Sequence, residues 1–246
     1  GDVNTTDVTI TTAKGDVESD NSGFITADDV KITAGGEVTL VAKVDADDIG
    51  IDAVGSVTAS DLDAAVVKVE TSGSDADIDI RLYAADTDLT AIATGEGSDI
   101  EIEGENLVLT DVYAYDGNVT VDGKDISAVD VQALDDGIVS GLVDDAHTVT
   151  ITAAGSLNIG TIIADYDAIL EADGDINGNE IIAGNDVDLT TGGQIGSSGS
   201  PLTAIAGGTV TVDKQPGTPD YGKNIWVLMQ GESSDGEIHY GSSGTP

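Results

Sequence analysis

The chain has 246 residues, with 47 acidic side chains against eight basic ones, a formal net charge of −39, and no cysteine. So few scattered cations cannot assemble a basic patch, which excludes a nucleic-acid or anionic-membrane surface, and without cysteine there is no disulfide or thiolate metal site. Aromatic residues are only 3% of the chain, so a core has to be built from Val, Ile, Leu and Ala, which suit a narrow interior between flat strands.

From the amino terminus, one line recurs with loose spelling. DVTITTAKGDVESDNSGFITAD begins at Asp7, DVKITAGGEVTLVAKVDADD at Asp29, IGIDAVGSVTASDLDAAV at Ile49 and VKVETSGSDADIDIRLYAADT at Val67. DLTAIATGEGSDIEIEGEN follows from Asp88, LVLTDVYAYDGNVTVDGKDISA from Leu107 and VDVQALDDGIVSGLVDDA from Val129. The unit is clearest from His147 to Val212, in three lines that start at His147, Tyr166 and Asp186. There Val149, Ala168 and Val187 share one phase of the repeat, and Leu157, Ile176 and Ile195 share a second. Alternation with a period of two inside a repeat of about 20 residues marks a chain that climbs one rung per repeat. The lines make about ten rungs, each with room for two or three short strands between Gly, Asp, Asn or Ser turns. Successive rungs return in the same sense, so the strands are parallel, and the crossover rule makes the coil right-handed. The expected fold is an all-β, right-handed parallel β-helix over residues 1–212, a rod roughly 50 Å long at about 4.8 Å per rung.

After Val212 the pattern breaks. DKQPGTPDYGKN reads as a loop leaving the coil, and Ile225, Trp226, Val227, Leu228 and Met229 form the most apolar run of the chain. Residues 213–246 are therefore expected to be a loop with short strands, acting as a carboxyl-terminal cap or as a strand that pairs with another chain. No apolar run approaches the roughly 20 residues of a membrane-spanning helix, so membrane insertion is not expected. The chain reads as a piece of something longer.

The stretches ADDVKITAGGEVTLVA, from Ala27, and AGNDVDLTTGGQIGSSGSPLTAIAGG, from Ala183, resemble the coils of filamentous-haemagglutinin-like adhesins. The resemblance covers roughly Asp7 to Val212. It implies a right-handed parallel β-helix, export to the cell surface, and an adhesive or fibre-forming role. The amino-terminal secretion cap of that family, with its Asn-Pro motifs, is not recognisable in this sequence, and the acidity exceeds that of the family.

Candidate chemistry is sparse. Asp173, Asp175, Asn177 and Gly178 in DGDING resemble the opening of a calcium loop, but the twelfth position, where a bidentate Glu belongs, is Gly184. A turn is the plainer reading, with calcium as the candidate ion. Asp pairs at rung junctions (Asp28 with Asp29, Asp47 with Asp48, Asp135 with Asp136, Asp144 with Asp145) extend the cation idea, against ordinary solvated turns. Carboxylate pairs such as Asp77 with Asp79 arise by chance on strands, Arg81 is the sole arginine, and His147 and His239 lie far apart without a Ser or Cys motif, so no catalytic residue is assigned. Asn4 and Asn118 begin glycosylation sequons. Tyr113 and Tyr115 alternate onto one face, as an outward ladder or as a platform for a sugar.

The sequence therefore predicts a non-enzymatic, structural β-solenoid of the cell surface or extracellular space. It would be a subunit or segment of a fibre, sheath or adhesin stalk, associating with itself head to tail through Ile225 to Met229. The competing reading is a carbohydrate-binding or carbohydrate-cleaving β-helix with surface carbohydrate as its partner.

Overall fold

The computed structural model describes residues 3–19, 23–84, 87–134, 147–197, 199–214, 227–230 and 238–240. Every strand belongs to one parallel stack, a β-solenoid of about ten turns, and the described residues contain no helix. A complete turn has three strand segments, seen in the 15-residue strand Ile100–Ala114. Residues 100–103 make the first side, 107–109 the second and 111–114 the third. The inward residues are Ile100 and Ile102, then Leu107 and Leu109, then Val112 and Ala114. Alternation holds within each side and slips phase at each bend, because a corner needs an odd number of residues to keep the next apolar side chain inward.

The core consists of in-register columns. On the first side Val38, Val57, Ile78, Ile100, Val119, Val149, Ala168, Val187 and Val210 stack rung upon rung, all buried. The two phases visible in the sequence are two of these columns, and Leu157 pairs with Ile176, which bridges to Ile195. At the end of the third side every rung from Ala34 to Ala206 places Ala or Thr: Ala34, Ala53, Thr71, Ala93, Ala114, Ala133, Ala164, Ala183 and Ala206. The chain turns there into the next rung, and only a small side chain fits the narrow corner. The one column member with a hydroxyl, Thr71, donates it to the Ala76 carbonyl at 2.7 Å, so no polar group is stranded.

Two boundaries differ from the sequence reading. The line from Val129 is not a rung of its own. It is the third side of the turn that starts at Val119, and the next turn begins at Val149, 30 residues later. The coil also runs on past Val212: Asp213 and Lys214 pair with Thr190 and Thr191. Val227–Gln230 then pairs with Leu202–Ala206, and Ile238–Tyr240 with Val210–Lys214, both parallel. The two short strands expected after the loop thus continue the stack.

Turns between the third side and the next first side share a polar lock. At most of these turns the residue before the first-side strand uses its side-chain oxygen to accept the backbone N–H of the equivalent residue one rung on. Asp16 accepts from Glu37 at 2.9 Å, Asp77 from Asp99 at 3.0 Å and Asp99 from Asn118 at 2.8 Å. The series goes on with Asn118 to Thr148 at 2.9 Å, Asp167 to Asp186 at 3.0 Å and Asp186 to Thr209 at 2.7 Å. A second such lock, at the corner between first and second sides, runs from Asp125 through Ser156 and Asp175 to Gln194. Short Asp and Asn side chains suit this, because they reach a neighbouring backbone amide without extra length.

At several steps a glycine leaves the room that the lock occupies. A Cβ on Gly36 would strike the Asp16 carboxylate, and one on Gly193 would strike that of Asp175. Replacing Gly36 by Ala should therefore destabilise the chain by about 1–3 kcal/mol, and Asp16→Ala by about 1 kcal/mol through the lost amide acceptor. The double variant should cost less than the two single changes together, because removing the carboxylate removes the clash. Additive costs in chemical denaturation would disprove the coupling.

Candidate functional site

The acidic residues lie outside the core: among the described residues no Asp or Glu is buried. Register brings together the Asp pairs at the amino-terminal junctions. Asp7, Asp29 and Asp48 pair along one outward column, and the Asp47 amide donates to the Asp28 carbonyl at 2.9 Å. Asp135, Asp136, Asp144 and Asp145 lie outside the described residues. In DGDING, Asp173 and Asn177 are exposed, and Asn177 stands in register with Asn158. The Asp175 carboxylate is turned to the rung above, where it accepts the Gln194 amide at 2.7 Å. Among the described residues no group of three or more His, Asp or Glu side chains is placed to hold a metal ion.

A groove of about 560 Å³ crosses the turns that carry Asp75, Glu96, Asp116 and His147. His147 is buried, with Nε2 3.4 Å from Asp116 Oδ1, and the Gly97 amide donates to Asp116 Oδ2 at 3.2 Å. Asp75 takes a left-handed backbone conformation, φ 51°, at the matching turn. Ser74 also lines this groove. It lies three turns below His147, about 14 Å away at the strand spacing, so the two are not a nucleophile and its base. His239 lies in Ile238–Tyr240, four turns beyond His147.

Tyr113 and Tyr115 do share a face, with ring centroids 6.3 Å apart and planes tilted by 39°. They do not form a flat platform. The Tyr113 hydroxyl donates to Asp130 Oδ2 at 2.7 Å, and Gln132 Nε2 holds the other oxygen at 2.9 Å. Partial burial, with this carboxylate, pushes the Tyr113 pKa above the ordinary tyrosine value. Asn118 of the second sequon belongs to the turn lock: Oδ1 accepts from Thr148, and Nδ2 donates to Asp99 at 3.1 Å.

A second groove, about 430 Å³, lies at the corner between first and second sides and is lined by Arg81, Leu82, Tyr83, Glu103, Gly104 and Asp122, among others. Register explains the assembly, since Arg81, Glu103 and Asp122 pair across three successive rungs. Arg81 Nε is 3.8 Å from Glu103 Oε2. Tyr83 is 71% exposed, and Lys43 Nζ stands 5.2 Å from its ring centroid. Lys43 is itself held by Asp63 at 2.6 Å, which raises its pKa above the usual lysine value. Sequence reasoning passed over Tyr83. Its one signal was position, two residues beyond the sole arginine.

At the amino-terminal end Asp7–Thr12 pairs with Asp29–Ala34, and Val8 and Ile10 are only partly buried where their column partners Val30 and Ile32 are fully enclosed. Of the apolar run at the other end, Val227, Leu228 and Met229 form strand, in register with Leu202, Thr203 and Ala204. Ile225 and Trp226 lie outside the described residues. Among the described residues no helix is long and apolar enough to cross a membrane. Comparison of the chain with protein-family models, with curated proteins and with solved structures gives no match.

Proposed function

We propose that this chain is a structural β-solenoid of the cell surface or extracellular space, a segment or subunit of a fibre, sheath or adhesin stalk that associates head to tail. What supports the reading is the unbroken parallel stack from Val3–Asn4 to Ile238–Tyr240, whose two ends offer the same kind of strand edge. In such a stack the contact between rungs and a contact between molecules have the same geometry. An exposed edge strand invites a further strand, and the partly covered Val8 and Ile10 add apolar area to that edge. A heterologous end-to-end contact does not close, so it propagates. The turn lock gives the joint a direction, because in its steps the side-chain oxygen reaches toward the carboxyl-terminal side.

The test is imaging and sedimentation of the purified chain in salt. Filaments many times longer than a single rod of about 50 Å are expected. Replacing both Trp226 and Leu228 by Asp should reduce them to single rods with an unchanged β-type circular dichroism spectrum. A parent chain that sediments as a monomer at high concentration would defeat the assembly reading.

A further inference from the structure

The groove at Arg81 and Tyr83 has features that a purely structural rod does not need. Tyr83 is the most exposed large side chain with an apolar face among the described residues, although nearby rungs bury their apolar groups in the core. Beside it Leu82 is turned into the core, 3% exposed, and Gly104 makes the bend where a Cβ would strike the buried Leu107, so the wall next to the ring is low. Along the rod axis, Arg81, Glu103 and Asp122 follow at one rung per step, about 4.8 Å. That step is close to the length of one sugar unit in an extended glycan.

We propose that Tyr83, Arg81, Glu103 and Asp122 form a binding groove for a neutral, extended oligosaccharide lying along the rod. A sugar ring has an apolar face of C–H groups, which stacks on an aromatic ring, and a rim of hydroxyls, which accept charge-assisted hydrogen bonds from a guanidinium and donate them to carboxylates. The groove supplies both: one exposed ring and a row of one donor, Arg81, and two acceptors, Glu103 and Asp122. Lys43 anchors the tyrosine from one side, so less ordering is required on binding. The charge of the chain selects the ligand class. A net charge of −39 repels polyuronates and sulfated glycans, which leaves the uncharged ones. Tyr113 is less suited, because its hydroxyl is committed to Asp130 and its neighbour is tilted away. The proposal does not depend on self-association.

The experiment is titration of the full chain with neutral hexasaccharides (β-1,4-glucan, α-1,4-glucan and β-1,4-mannan), followed by amide chemical shifts, with a hexauronate as the charged control. At least one neutral hexasaccharide should shift the amides around residues 81–83, 103–105 and 122, and should bind more tightly than the corresponding monosaccharide. Tyr83→Ala should weaken binding about tenfold, Tyr83→Phe should retain most of it, and Arg81→Ala should weaken it without changing the melting temperature. The proposal is overturned if none of the three hexasaccharides shifts those amides at millimolar concentration. It also fails if Tyr83→Ala binds like the parent, or if the hexauronate binds as well as the neutral sugars.

Discussion

Raising sodium chloride from about 10 mM to about 1 M should lift the melting temperature of this chain by roughly 10 °C. The reason is geometric as well as numerical. Among the described residues the carboxylates are all outside the core, and register stacks some of them directly, as in the Asp7, Asp29 and Asp48 column. At about 10 mM salt the screening length is about 30 Å, so each charge feels most of the rod. At about 1 M it falls to about 3 Å, less than one rung. Self-repulsion of a chain with net charge −39 then disappears from the folded state, where the charges are closest. Magnesium and calcium at equal ionic strength should act alike, because the carboxylate best placed for a loop site, Asp175, is already engaged by the Gln194 amide. A melting temperature indifferent to salt would remove the repulsion account. A calcium effect well beyond that of magnesium would restore a specific site at DGDING or elsewhere.

Replacing Ile102 by Asp should unfold the middle of the rod and spare its carboxyl-terminal turns. Ile102 is fully buried between Ile80 and Val121 in the same column, so the new carboxylate would have no water and no partner. That costs several kcal/mol. Each rung touches only its neighbours, so stability is close to a sum of nearest-neighbour terms and damage should stay local. Hydrogen exchange should show lost protection across residues 78–123 and near-parent protection from Val149 to Val212. Glu101→Gln, one residue away and outward, should change stability by less than about 0.5 kcal/mol. A single cooperative loss of all protection would contradict a linear stack.

The stack was legible in the sequence because its core columns need only local alternation and a repeat length. Val149, Ala168 and Val187 announce themselves without knowledge of any other residue. Where two turns meet, that information fails. Within the 30-residue step from Val119 to Val149, the line from Val129 reads as a rung of its own, since VDVQALDDG carries the same alternation as a new line. The acids at turns were read as solvated or cation-binding. Asp16, Asp99 and Asp186 instead hold backbone amides about 20 residues on, and only the register between rungs reveals such a partner. The same limit separated Tyr113 from Asp130 and hid the Arg81, Glu103 and Asp122 column. Alternation placed Tyr113 and Tyr115 on one face correctly, but it carried no information on the tilt between their rings.

The turn lock runs one way. In every step the earlier residue supplies the oxygen and the later one the N–H: Asp77 for Asp99, Asp99 for Asn118, Asn118 for Thr148. A polypeptide is made, and leaves a narrow exit, from its amino end first. Each turn that has wound therefore holds out a placed acceptor before the amide it will capture has emerged, and the new turn settles on a surface whose columns are already formed. Winding in the opposite order would leave a carboxylate such as Asp16 to find its place against finished structure, beside the narrow gap left by Gly36. The direction of the lock therefore suits winding from the amino end, with the finished part of the coil as the mould for the next.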